Sequence, residues 1–178
     1  MKELIKKITA NNKEFAVGAL LVPSHGVPRE ILMIDRKSVR ECSPQMQELF
    51  SIIDSWHDGV NGQSIVNPET LPELYSDPNI LRAIELTAEN YKPIPPSDAS
   101  DWNRTAMFAR EEGGLGLFLF WWEDDDNIEP AIVEINGGTI RLYRDVMSCL
   151  REVALNETDG RGDQIYDRLE QQRGTLRD

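Results

Sequence analysis

The chain has 178 residues, 40% hydrophobic and 28% charged, with four Trp, four Tyr and five Phe, a composition of folded rather than disordered proteins. A domain of this length buries roughly two-thirds of the surface its unfolded chain exposes, so it needs no disulfide staples, and Cys42 and Cys149 read as free thiols. A net charge of −12, no convincing secretion signal and no run near the ~20 apolar residues of a membrane span point to a single cytoplasmic domain over residues 1–178. The same charge disfavours a basic nucleic-acid groove.

Residues 2–10 read as a short amphipathic helix. Glu14 to Val22 and Arg29 to Asp35 read as two strands of a hairpin, turning through Ser24-His25-Gly26-Val27-Pro28. Ser43-Pro44 starts a helix, since the Ser oxygen accepts an orphan N–H and Pro loses nothing at the first helical position. Met46, Leu49, Phe50 and Ile53 share its apolar stripe, which carries the helix to His57 before Asp58-Gly59-Val60-Asn61-Gly62 ends it. Asp77-Pro78 opens a second helix with Ile80, Leu81, Ile84 and Ala88 on one face and Glu85 and Glu89 on the other. The Pro-rich stretch Lys92 to Ser100 is an extended connection and the one candidate for an internal boundary.

From Arg104 the period switches to strands. Arg104 to Arg110 and Leu115 to Trp122 form a hairpin whose second strand is apolar on both faces, as a central strand covered on both sides must be. Glu123-Asp124-Asp125-Asp126-Asn127 is then a solvated turn. Pro130 to Ile135 and Thr139 to Tyr143 form a second hairpin about Gly137-Gly138, a register that sets Val133 against Leu142, Ile135 against Ile140 and Glu134 against Arg141. Asp145 caps a helix through Val146, Met147, Leu150, Val153 and Ala154, and a last helix spans about Asp163 to Arg173. The sum is an α+β fold, a largely antiparallel sheet of about five to six strands packed with four to five helices.

Charge is segregated along the chain. Residues 1–40 hold eight Lys/Arg against four Asp/Glu, whereas residues 41–91 hold nine acids against Arg82 alone, and residues 111–140 hold eight acids and no base. Acidic blocks that share a face steer a basic partner and repel phosphate.

No motif carries recognisable catalysis. There is no G-x-S-x-G, H-E-x-x-H, phosphate-binding glycine loop or C-x-x-C, so no catalytic residue is assigned and no cofactor is called for. His25 falls in a turn and His57 at a helix end, where a protonated ring complements the dipole; a Cys42 or Cys149 nucleophile beside His57 is the enzymatic alternative. The acidic turn fails the calcium-loop template, because Ile128 stands where a ligand is needed and the required Gly is absent, so no metal is assigned. Arg161-Gly162-Asp163 marks a loop. Trp121 and Trp122 adjoin the acidic turn and point to opposite faces, so the plainer reading is that both are core, with Trp122 kept as the candidate aromatic contact beside the carboxylates.

The order of the helix from Ser43, Asn61-Gly62, Ile65-Val66, Leu71-Pro72-Glu73-Leu74, the apolar strand to Trp122, the acidic turn, Pro130-Ala131-Ile132-Val133-Glu134-Ile135 and the helix about Val146-Met147-Ser148-Cys149-Leu150 resembles the SUKH superfamily. The resemblance spans about residues 43–155. It implies an immunity protein that neutralises a cognate toxin, a nuclease among the possibilities, by occluding a basic surface. The candidate partner-binding residues are Glu85, Glu89, Trp122, Glu123, Asp124, Asp125, Asp126 and Glu129, facing a protein with a basic surface and neither nucleic acid nor membrane. A secretion chaperone or adaptor holding a client, and a small hydrolase-like enzyme, are the alternatives.

Overall fold

In the computed structural model, the described residues are 1–15, 19–60, 62–90, 102–111, 116–136 and 139–157. They form an α+β fold with five α-helices, a seven-stranded antiparallel sheet and a separate two-stranded sheet. The expected Lys92–Ser100 connection, the Gly137-Gly138 loop and the Asp163–Arg173 helix lie outside the described residues. Among those described, no helix is long and apolar enough to cross a membrane.

The second half of the chain builds the sheet from neighbours. Strands β6 (Thr105–Glu111), β7 (Leu117–Trp121), β8 (Ala131–Asn136) and β9 (Thr139–Tyr143) pair in sequence order. β7 is buried along its whole length, as its two-sided apolarity requires. The β8–β9 register sets Val133 against Leu142, Ile135 against Ile140 and Glu134 against Arg141. Alternation puts Phe118, Phe120 and Tyr143 on one face, where Phe118 stacks on Tyr143 at 6.5 Å between ring centres. Helix α5 (Val146–Leu155) covers this hairpin, and Asp145 caps it by accepting the Ser148 N–H at 2.8 Å.

The first half mixes neighbour pairs with distant partners. Helix α1 (Lys2–Phe15) runs past the expected end near residue 10, and among the described residues the expected strand from Glu14 is β1 (Leu20–Pro23). The expected hairpin is not made. β1 pairs with β4 (Ile53–Val60) at one edge of the large sheet, while β2 (Glu30–Leu32) pairs with β3 (Val39–Glu41) in the small one. The chain reverses between β2 and β3 on Asp35, whose carboxylate accepts the N–H groups of Lys37 and Ser38 and the Ser38 hydroxyl, with Arg36 at φ 61°.

The helix from Ser43 stops at Phe50, so α2 (Pro44–Phe50) is two turns long and His57 lies on β4 rather than at a helix end. Ile53 and Trp56 share the helical stripe by spacing, yet they are buried from a strand, which a short apolar pattern does not distinguish. β4 bulges within its pairing to β5 (Gln63–Ile65), between Trp56 and Val60: Asp58 takes φ 49°, and Gly59 lies so close under the Trp56 ring that a Cβ there would be 2.1 Å from it.

Because β5 ends at Ile65, opposite Ala109, the first residues of β6 lack a strand on that side. Three groups from elsewhere satisfy them. Ile34 N–H donates to the Thr105 carbonyl, Val66 N–H to the Phe108 carbonyl, and the Met107 N–H to the hydroxyl of Tyr75, each within 3.1 Å. Tyr75 follows helix α3 (Leu71–Leu74), which precedes α4 (Pro78–Asn90). Its complete burial pushes the phenol well above its ordinary range.

Candidate functional site

The connection from β7 to β8 holds six of the eight sequence-predicted partner residues and is fixed from both sides. Asp124 Oδ1 accepts the N–H groups of Asp126 and Asn127 at 3.0 and 2.9 Å, so the turn is curved by its own carboxylate. Arg104 Nη1 donates to the Glu123 carbonyl at 2.8 Å. From β3, Arg40 lies 5.2 Å above the Trp122 ring and its Nη2 reaches the Asp125 carboxylate at 2.9 Å and carbonyl at 3.2 Å. At the far end Glu129 accepts the Ser43 hydroxyl at 2.6 Å and the Gln45 N–H at 3.0 Å, closing the start of α2.

This wiring divides the acidic residues by role. Asp124, Asp125 and Asp126 are exposed, the Asp125 side chain at 87%, and present charge to solvent from an ordered backbone. Glu129 is largely committed to α2. Trp122 is only 1% exposed, so the reading of it as a surface contact is corrected: it belongs to the face of Phe118 and Phe120, packs 6.2 Å from the Phe120 ring, and is the platform for Arg40. In the other acidic block, Glu85 is exposed on α4 and pairs with Arg82 at 3.4 Å, and the Glu89 side chain lies outside the described residues.

Beside the turn opens a cleft of about 390 Å³. Trp121 and Ala131, cross-strand neighbours on β7 and β8, belong to its apolar side together with Ile128, which is 72% exposed. Glu123, Glu129, Asp145 and Arg144 supply its charged side. Arg144 is paired with Asp145 at 2.9 Å. Burial alone would raise the Asp145 carboxyl, but hydrogen bonds from Ser148 and Arg144 outweigh it and hold the group below the ordinary carboxylate range. Trp121, Ile128, Arg144 and Arg40 were absent from the sequence-predicted set. Trp121 and Ile128 carried a sequence signal, by adjacency to the carboxylates of the turn.

The nucleophile candidates sit elsewhere. Cys42 and Cys149 are free and buried. Burial, then the Glu30 charge, pushes the Cys42 thiol up to about 11, and burial with the charges of Glu134, Glu152 and Asp145 puts Cys149 well above the ordinary value. His57 is exposed on β4, and His25 Nδ1 is 3.8 Å from Asp54 Oδ1 with its side chain 79% exposed. Among the described residues no group of three or more His, Cys, Asp and Glu is placed to hold a metal ion.

One further carboxylate is internal. Glu134, 9% exposed, accepts the Tyr143 hydroxyl and faces Arg141 across the β8–β9 ladder. Burial first, and Glu134 second, drive the Tyr143 phenol far above its ordinary range. The network fastens the sheet edge beneath α5 and leaves Glu134 unavailable to a partner.

Comparison with family models, curated proteins and solved structures finds no match to this chain.

Proposed function

We propose that the chain is a protein-binding inhibitor of the immunity type, which covers a basic surface of its partner, a nuclease toxin being the natural case. The observation that carries this is the β7–β8 turn: three consecutive exposed aspartates on a backbone held by Asp124, Arg104, Arg40 and Glu129. A preorganised patch of one sign costs little ordering on binding and accelerates encounter with the opposite sign. The raised, buried thiols support binding over thiol catalysis, since a nucleophilic cysteine needs its thiolate near neutral pH. The order of elements that resembles the SUKH superfamily favours the same reading, although its first helix is the short α2 followed by a strand.

The test is the association rate with the protein encoded beside this one, measured by stopped flow across ionic strength. Replacing Asp124, Asp125 and Asp126 together by Asn keeps the Asx-turn acceptor while removing three charges. The expected result is roughly a tenfold slower association at low salt and a flatter salt dependence. An association rate that ignores both salt and the three substitutions overturns the reading. Binding of an extended client with no dependence on the turn would favour a chaperone.

A further inference from the structure

Resting on the proposed binding role, we infer that strand β3, the open edge of the small sheet, receives an extended basic segment of the partner as an added antiparallel strand. Among the described residues the small sheet has two strands, so β3 has β2 on one side and no strand on the other. The register says which main-chain groups of β3 are free. Cys42 N–H donates to the Arg29 carbonyl and Met33 N–H to the Ser38 carbonyl at the two ends of the pairing. Bonded and non-bonded pairs alternate along an antiparallel ladder, so between these ends Arg40 is the residue bonded to β2, through Ile31. The N–H and carbonyl groups of Val39 and Glu41 therefore point away from β2, and no group among the described residues takes them up. An extended segment laid alongside satisfies them with main-chain hydrogen bonds, as peptides do at other sheet edges.

What surrounds the edge sets the occupant. Alternation turns Arg40 inward over Trp122 and leaves Val39 and Glu41 on the outer face, both exposed, Val39 at 58%. Glu41 stands directly opposite Glu30, a like-charge pair that weakens the small sheet and that no base among the described residues offsets. The Arg40 side chain runs on to Asp125, so the exposed aspartates lie within one side chain's reach of the same strand. A segment with a basic residue opposite Glu41 and an apolar residue, two positions along, on Val39 complements this face. A second copy of the chain does not, because it brings the same carboxylates together and each copy carries a net charge of −12. Three residues of edge offer few bonds, so charge decides which segment stays.

The experiment uses the full chain labelled with 15N and follows the assigned backbone amides during titration with acetyl-Thr-Lys-Thr-Val-Thr-amide, or with the same peptide carrying Glu in place of Lys. The expected result is a saturable downfield shift and slowed exchange of the Val39 and Glu41 amide protons with the basic peptide, and neither with the acidic one. Glu41→Gln should weaken binding roughly twofold to fivefold. Val39→Pro removes an outward donor and no ladder bond, so it should weaken binding roughly threefold to tenfold. The amide shifts of the native chain decide whether or not that variant folds. Unmoved Val39 and Glu41 amides, or equal shifts with both peptides, overturn the inference. Shifts confined to Asp124, Asp125 and Asp126 overturn it too, since they mean attraction to the turn without an added strand. Shifts of the Val39 and Glu41 amides with protein concentration alone make the edge a surface for a second copy and overturn the choice of occupant. Steering by the aspartates is read separately, from the salt dependence of association, so either result stands when the other fails.

Discussion

From β6 to α5 almost every element packs on its sequence neighbour, whereas before β6 the neighbour pairs β2–β3 and β4–β5 are mixed with remote partners: Leu20 faces His57, Ile34 reaches Thr105, and Arg40 reaches Asp125. The two halves share one sheet through the β5–β6 ladder and pack through α5 on α1, α2 and β4, and side chains add further joints. Trp122 under Arg40 ties β3 to the end of β7, Glu129 ties the acidic turn to α2, and Tyr75 fills the space that the short β5 leaves beside β6. Local hairpins close small loops, while the first half depends on contacts that close large ones and must offset more chain entropy. The functional turn grows from the self-contained half but is held by the dependent half, so its order reports on both.

Cutting the joints breaks this comparison most directly. Trp122→Ala removes a fully buried indole and the Arg40 platform, and should cost about 3–5 kcal/mol in denaturant unfolding, with the turn losing its order in amide exchange. Tyr75→Phe keeps the shape but strands the buried Met107 N–H, and should cost about 1–3 kcal/mol. An unchanged denaturation midpoint for Tyr75→Phe would mean that the gap beside β6 is satisfied some other way.

A smaller effect belongs to the self-contained half. Asp145→Ala deletes the α5 cap and should cost about 0.5–2 kcal/mol. Because the folded Asp145 carboxyl lies below its unfolded value of about 3.9, its contribution is complete above that pH and is lost as pH falls through the lower folded value. Asp145→Asn should therefore be destabilised near neutrality and lose stability less steeply than the native chain below about pH 4, as thermal melts against pH will show. The smallest effect is Asp125→Asn, which weakens an exposed ion pair to Arg40 and should cost about 0–1 kcal/mol, while still slowing association with a basic partner. A large loss of stability there would show that the turn, rather than the buried joints, holds the halves together.

The β6–α5 half was legible in the sequence for the same reason that it is self-contained. Two-sided apolarity marked β7, a two-residue glycine loop set the Glu134–Arg141 register, and Asp145 announced the helix it caps. Within residues 19–60 the Ser43 cap and the start of α2 were legible, but the partner of β1 and the end of α2 were misread because nothing local distinguishes them: Leu20 to Val22 fits a hairpin with Glu30 to Leu32 as well as it fits β4, and Ile53 and Trp56 fit a helix as well as a strand. The acidity and place of the turn were written in consecutive residues, since a run of carboxylates between two apolar strands has no way to be buried unpaired.

What the turn rests on was decided only by tertiary structure. Alternation along β7 says that Trp121 and Trp122 face opposite ways, but only the packing puts both inside, one under Arg40 and one in the wall of the cleft. The physical reason is that burial, pairing and an unmet hydrogen bond belong to groups brought together from distant parts of the chain, and local sequence encodes only the preferences of each group taken alone.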